Sequence, residues 1–171
     1  FDISLGCSGF VHGVNIASSF GSANQFKNVL FVTADPYSKI VNAQDKNTAL
    51  LFGDAACATL LQNKDTRASG GLKHLASSFI TESNKSSSLQ VLEDSFLEMN
   101  GRNVFNFAAT KVPEQVVGLL KKNGLVKEQI SGFYFHQGSK YILDTLIGRL
   151  ELDPKTVISN IEKYGNTVSS S

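Results

Sequence analysis

Val29-Leu30-Phe31-Val32-Thr33-Ala34 is a continuous β-prone run that ends in Asp35-Pro36. A short apolar run closed by a turn dipeptide reads as a strand buried on both faces. Just before it, Phe10, Val11, Val14, Ala17 and Phe20 recur at three- and four-residue intervals, which predicts a helix over residues 8–21. Ser8 and Gly9 suit the entry to that helix, so Cys7 falls at or just before its first turn. Helix and strand alternate again later in the chain, and that alternation predicts a layered α/β architecture.

Outward from this unit the reading is less even. Residues 37–48 are polar and loop-like. Residues 49–52 and 55–61 are apolar runs parted by Gly53-Asp54, a turn signal between or within strands. The stretch 62–71 is polar, 74–80 is strand-like, and 81–88 is a loop rich in Ser, Asn and Lys. Residues 89–99 fit a strand and irregular chain equally. Helical spacing governs 104–123, where Pro113 predicts a kink or two abutting helices and Gly124 a stop. A strand is expected over 130–136, an amphipathic helix over 141–150, and a short segment over 157–161 that leads to Tyr164-Gly165-Asn166.

Composition narrows the class. The 171 residues are 42% apolar and carry 16 basic against 15 acidic groups, a net charge of +1 without blocks of like charge. Nothing in that balance points to nucleic acid or a membrane surface. No apolar run approaches the roughly 18 residues that span a bilayer, and the first residues lack the basic start of a signal peptide. Two cysteines do not make a disulfide framework. The expectation is a soluble cytoplasmic protein. The closeness of Cys7 to one end and of Asn166 to the other suggests an internal portion of a longer enzyme.

Three positions carry the chemistry: Cys7 in Gly-Cys-Ser-Gly-Phe, His136 in Phe-His-Gln-Gly-Ser, and Asn166 in Tyr-Gly-Asn-Thr. Each sits where a predicted strand gives way to a turn or helix. Converged, they would supply a thiol nucleophile, an imidazole and an amide donor, a set suited to acyl chemistry. A thiol at a helix N-terminus also feels backbone N–H groups that favour the thiolate. Taken singly, Cys7 reads equally as a buried structural cysteine, His136 as a core histidine and Asn166 as a turn residue. Cys57, in an apolar run, reads as core filler, and His12 and His74 as structural. The histidines and cysteines show no metal-ligand spacing.

Together the motifs resemble those of β-ketoacyl-acyl carrier protein synthase III, a thiolase-fold condensing enzyme. Gly6-Cys7-Ser8-Gly9-Phe10 resembles its nucleophile segment, and Asp45-Lys46-Asn47-Thr48 through Phe52-Gly53-Asp54-Ala55-Ala56 its Phe-Gly-Asp stretch. Asn100-Gly101-Arg102-Asn103-Val104-Phe105, His136-Gln137 and Gly165-Asn166-Thr167 resemble three further motifs in the family's order. The resemblance implies a thiolase-like layered α/β/α/β/α fold, incomplete here because the N-terminal half and the extreme C-terminus have no counterpart. Residues 1–75 would be the remainder of the N-terminal half and 76–171 the truncated C-terminal half. It further implies Cys7, His136 and Asn166 as catalytic residues, acyl-coenzyme A and malonyl-acyl carrier protein as substrates, no metal or bound cofactor, and a homodimer.

Two departures bear on substrate binding. Lys46 stands where family members carry an arginine that meets coenzyme A, which keeps the charge and loses the bidentate fork. Ser139 stands in place of an asparagine after the His-Gln pair. Both are candidate substrate-binding residues. The alternatives are a related thiolase-fold acyltransferase of specialised metabolism and an inactive portion acting only in self-association. A papain-like hydrolase is disfavoured because its Cys-Gly-Ser-Cys-Trp context is absent. The isolated chain is expected to condense poorly or not at all.

Overall fold

The computed structural model describes residues 1–23, 26–63, 71–93 and 95–171. Helix α1 (Gly9–Ser22) runs into strand β1 (Asn28–Asp35), which pairs antiparallel with β2 (Ala55–Gln62) from Asn28 opposite Gln62 to Asp35 opposite Ala55. Between the strands lie a 3₁₀ turn at Tyr37–Lys39 and the short helix α2 (Lys46–Ala49). A hairpin of β3 (Leu89–Val91) and β4 (Leu97–Met99) precedes the long helix α3 (Gly101–Lys122). Helices α4 (Lys140–Leu150) and α5 (Ile161–Tyr164) complete the order.

Helix α1 lies on one face of β1. Gly9, Gly13 and Ala17 are buried one turn apart, a seam of small residues that lets the helix approach. At Gly13 an added Cβ would sit 2.1 Å from the Phe31 ring, so glycine here sets the helix-to-strand distance. Phe10 and Phe31 meet with ring centroids 6.0 Å apart.

Strand β1 is not buried on both faces. Burial alternates along the strand: Val29, Phe31, Thr33 and Asp35 are covered, whereas Leu30 and Val32 are 66% and 56% exposed. Leu60, opposite Leu30, is exposed as well. Among the described residues α1 covers one face of this two-stranded sheet, and the other stays open. Cys57 is exposed for a related reason: it lies on the thinly covered β2, so it is not core filler.

Other elements settle or change. Residues 46–49, read as loop and strand, form α2 because Asp45 caps them: its carboxylate accepts from Asn47 N at 3.0 Å and from Thr48 Oγ1 at 2.7 Å. The strand-like 74–80 stretch makes no ladder, and Phe79 instead stacks on His12 at 4.1 Å. The undecided 89–99 segment is the β3–β4 hairpin. The polar 62–71 stretch lies mostly outside the described residues. Helix α3 is one continuous helix through Pro113, not two. Its Asn100 cap accepts from Asn103 N at 3.1 Å, while Asn103 Nδ2 donates to Ser88 Oγ at 3.0 Å.

The C-terminal core is helical and apolar. Helices α3 and α4 pack together, with Leu143, Leu146 and Leu150 of α4 buried. Phe133, Leu150 and Leu152 form a cluster joined by Val116, Ile130, Phe135 and Val157. Each such side chain contributes roughly 1.5–3 kcal/mol of burial. Lys127 closes the end of α4, its Nζ donating to the Leu150 and Glu151 carbonyls at 3.1 and 3.2 Å.

The predicted 130–136 strand shrinks to one parallel bridge between Phe133 and Val157. Gln137 explains the shortening. Its amide nitrogen donates to Phe135 O at 2.8 Å and Ile158 O at 3.3 Å, and its oxygen accepts from Asn160 N at 3.1 Å. A buried side-chain amide thus takes the place of the ladder.

Candidate active site

The site is organised by a turn, not by a sheet edge alone. Residues 165–171 touch the Cys7 segment, the ends of β1 and β2, and the His136 loop. Phe52 and Asn166 form an isolated parallel bridge in which Asn166 N donates to Leu51 O at 2.9 Å and Gly53 N donates to Asn166 O at 3.0 Å. Both partners of this joint need glycine. A Cβ on Gly53 would lie 2.4 Å from Tyr164 O. Gly165, at φ +67° and ψ −160°, occupies a region essentially reserved for glycine, and its Cβ would lie 2.9 Å from Leu51 O.

Asn166 is 4% exposed and fully committed by its backbone. Its Oδ1 accepts from Val168 N at 3.0 Å, which fixes the amide so that Nδ2 faces the Gly138 carbonyl at 3.4 Å. Gly138 in turn follows His136 closely, its N–H bonding back to His136 O at 2.9 Å. Ser171 Oγ lies 3.0 Å from His136 Nδ1. Burial drives the His136 imidazole down to about 4, opposed by a backbone hydrogen bond to Val168, so the ring is neutral at physiological pH.

Cys7 lies one residue ahead of Ser8, the α1 cap, as expected. Small neighbours admit the 165–171 turn: a Cβ on Gly6 would lie 3.8 Å from Val168 Cγ1, and one on Gly9 3.2 Å from Ser169 Cβ. The surroundings of Cys7 do not favour the expected thiolate. Burial pushes the Cys7 thiol up to about 11; its own backbone N–H pulls down, and the Asp35 carboxylate adds to the rise. Desolvation outweighs the helix N-terminus because the thiol is largely covered. Tyr37, near Gly6, is likewise raised, by burial first and then by Cys7 and Asp35.

A reactivity order follows. At pH 7 a thiol near 11 is about a hundredfold poorer in thiolate than one at the ordinary 9.0. Cys57 is exposed whereas Cys7 is partly covered and its thiol raised, so in the native chain Cys57 is expected to label with iodoacetamide well before Cys7, read by peptide mass. Faster labelling at Cys7 would mean that its thiolate is stabilised beyond what burial removes.

The structure gathers Cys7, His136 and Asn166 around one turn; Ser139 directly follows Gly138 beside it, whereas Lys46 is not joined to it. Lys46 is exposed at the start of α2, and among the described residues no hydrogen bond or ion pair joins it to the three. Ser139 caps α4, accepting from Ile142 N at 3.2 Å. That use suits serine and asparagine alike. Asp35, Gln137, Ser169 and Ser171 were missed as parts of the site. Only Gln137, adjacent to His136 in a quoted motif, carried a signal.

The comparisons agree with the motifs. The family model described as 3-oxoacyl-[acyl-carrier-protein (ACP)] synthase III matches residues 1–83, and that of its C-terminal part matches residues 120–171. The chain belongs to the 3-oxoacyl-(acyl carrier protein) synthase III family. The chloroplastic beta-ketoacyl-[acyl-carrier-protein] synthase III of Arabidopsis thaliana is 36% identical, aligned over 100% of this chain and 48% of its own length. Synthase III 1 of Bacillus cereus is 36% identical over 99% of this chain and 53% of its own. The crystal structure of the Aquifex aeolicus 3-oxoacyl-[acyl-carrier-protein] synthase III superposes with a TM-score of 0.90 at 33% identity, covering 98% of this chain and 53% of that one. The Pseudomonas aeruginosa enzyme gives 0.91 at 31%, covering 100% and 54%. The fold is thus the thiolase-like one. The chain spans about half the length of the curated relatives it matches.

Proposed function

We propose that the protein carrying this chain catalyses the decarboxylating Claisen condensation of an acyl-coenzyme A primer with malonyl-acyl carrier protein, the step that initiates fatty acid synthesis. The observation that carries this reading is the 165–171 turn, which packs on the Gly6–Gly9 loop while holding Asn166 and contacting His136. In the first half-reaction Cys7 Sγ bonds to the acyl carbonyl carbon, coenzyme A leaves as the thiol, and the Cys7 proton ends on it. Cys7 is protonated at rest, so loading is expected to speed up as pH rises toward its raised value.

In the second half-reaction the malonyl carboxylate leaves as carbon dioxide and its electron pair enters an enolate. Neutral His136 and the Asn166 amide donate N–H groups to the enolate oxygen. A neutral imidazole suits this role, because it donates without giving up a full proton. The enolate carbon then attacks the Cys7 thioester, the carbon–sulfur bond breaks, and Cys7 regains a proton from solvent. The product is a 3-oxoacyl thioester.

His136→Ala and Asn166→Ala separate the halves. Each is expected to leave acyl loading of Cys7 within a few-fold of the parent while decarboxylation of malonyl-acyl carrier protein falls about a hundredfold or more. Loss of loading with decarboxylation intact would reverse the assigned roles. An acyltransferase making esters or amides, the second reading, would load Cys7 without consuming malonyl groups at all. We take the two halves to divide near residue 75, with Cys7 in the first and His136 and Asn166 in the second. We place the protein in the cytoplasm as a homodimer, and the open apolar face of Leu30, Val32 and Leu60 supports self-association. No helix among the described residues is long and apolar enough to cross a membrane.

A further inference from the structure

We propose that Asp35 is a positioning residue whose carboxylate clamps the 165–171 turn to the end of β1 and so keeps Asn166 and His136 in register with Cys7. The inference deepens the reading of that site as a condensing centre and rests on it. Asp35 Oδ2 accepts from Ser169 N at 3.1 Å and from the Ser169 hydroxyl as well. A neighbouring hold comes from Ser170, whose Oγ lies 2.9 Å from Thr33 Oγ1. Thus the two residues that follow Val168 are both pinned to β1.

Val168 explains why pinning is needed. It is fully buried, and its φ of +58° is a left-handed conformation that a β-branched residue adopts only under constraint. The constraint comes from both sides. Ahead of it, Asn166 Oδ1 accepts the Val168 N–H; behind it, Asp35 holds Ser169. Val168 also makes the backbone contact to His136, and Ser171, three residues on, reaches its Nδ1. Released at Ser169, Val168 relaxes toward negative φ, the turn opens, and His136 loses its cover.

The test reads His136 directly, by NMR titration of its ring proton in the native chain. In Asp35→Ala the titration midpoint is expected to rise from about 4 toward 6.5, by about one pH unit or more. The direction is diagnostic, because deleting a nearby carboxylate acts on a histidine electrostatically in the opposite sense. Asp35→Asn keeps an acceptor oxygen and is expected to hold the midpoint near the parent value. Glycine accepts φ +58° without a clamp, so in a Val168→Gly background the further rise caused by Asp35→Ala should be less than half as large. Should Asp35→Ala not fold, Ser169→Ala removes the hydroxyl half of the clamp and should give a smaller rise. An unchanged midpoint in the variant that folds, an equal rise in both backgrounds, or an Asp35→Asn protein as disturbed as Asp35→Ala would overturn the proposal. Acyl loading of Cys7, measured in the same proteins, reports separately on the function, which can fail while the clamp stands.

Discussion

Gly165→Ala is expected to lower the stability of the chain by about 3 kcal/mol or more, and Gly53→Ala by a similar amount. At Gly165 two costs combine. A side chain at φ +67° and ψ −160° is strained by about 1–3 kcal/mol, and its Cβ would press on the Leu51 carbonyl at 2.9 Å. At Gly53 the backbone angles permit alanine, but the Cβ would overlap the Tyr164 carbonyl at 2.4 Å, and backbone cannot swing aside as a side chain can. Either change parts the same joint, with its hydrogen bonds of 2.9 and 3.0 Å. The double variant should therefore cost far less than the sum of the two. Urea unfolding midpoints at constant slope measure all three. A Gly165→Ala protein within about half a kcal/mol of the parent would show that the joint does not hold the turn.

His136 is expected to make the fold acid-labile between pH 6.5 and 4. Its folded value lies below its unfolded one, so the folded state favours the neutral ring. The sign follows: the contribution is fully present above pH 6.5 and is lost as pH falls toward 4, where the unfolded chain has already bound a proton that the folded chain refuses. The gap is worth about 3 kcal/mol. His136→Gln removes the titration, and its stability should stay flatter across that window than the parent's. Asp45 and Asp54, held below the usual carboxylate range by hydrogen bonds from Thr48 and Ser38, act at lower pH. Parallel pH curves for parent and variant would mean that His136 is not buried as described.

What the sequence made legible was local. The α1 periodicity, the β1 run, the α4 amphipathic pattern and the Gly-Asn-Thr turn each declared themselves within a window of about a dozen residues, because their apolar spacing reports burial directly. Pairing was not legible. Nothing in residues 55–62 names β1 as partner, and the 130–136 run reads as strand by propensity until Gln137, a residue outside it, replaces the ladder. Pro113 reads as a breaker, yet α3 continues through it, a case of tertiary packing overriding a local penalty.

The site divides in the same way. Cys7, His136 and Asn166 stood out because each lies in a glycine-bearing turn, where close approach is required. Their electrostatics did not. Position at a helix N-terminus argued for a thiolate, and only the structure shows that burial wins at Cys7. Asp35 was legible merely as half of a turn dipeptide, because its partner Ser169 lies far along the chain. Lys46 was chosen by position within a motif, and the structure leaves it exposed on α2, not bonded to the turn around which the other three gather.

The most direct test of the account is intact-mass analysis of the protein carrying this chain after incubation with a panel of acyl-coenzyme A thioesters, beside its Cys7→Ala variant. One acyl increment is expected, faster to form at higher pH, that is absent in the variant and unaffected by Cys57→Ser. No increment with any donor, or one that persists in Cys7→Ala, would contradict Cys7 as the nucleophile and with it the condensation mechanism.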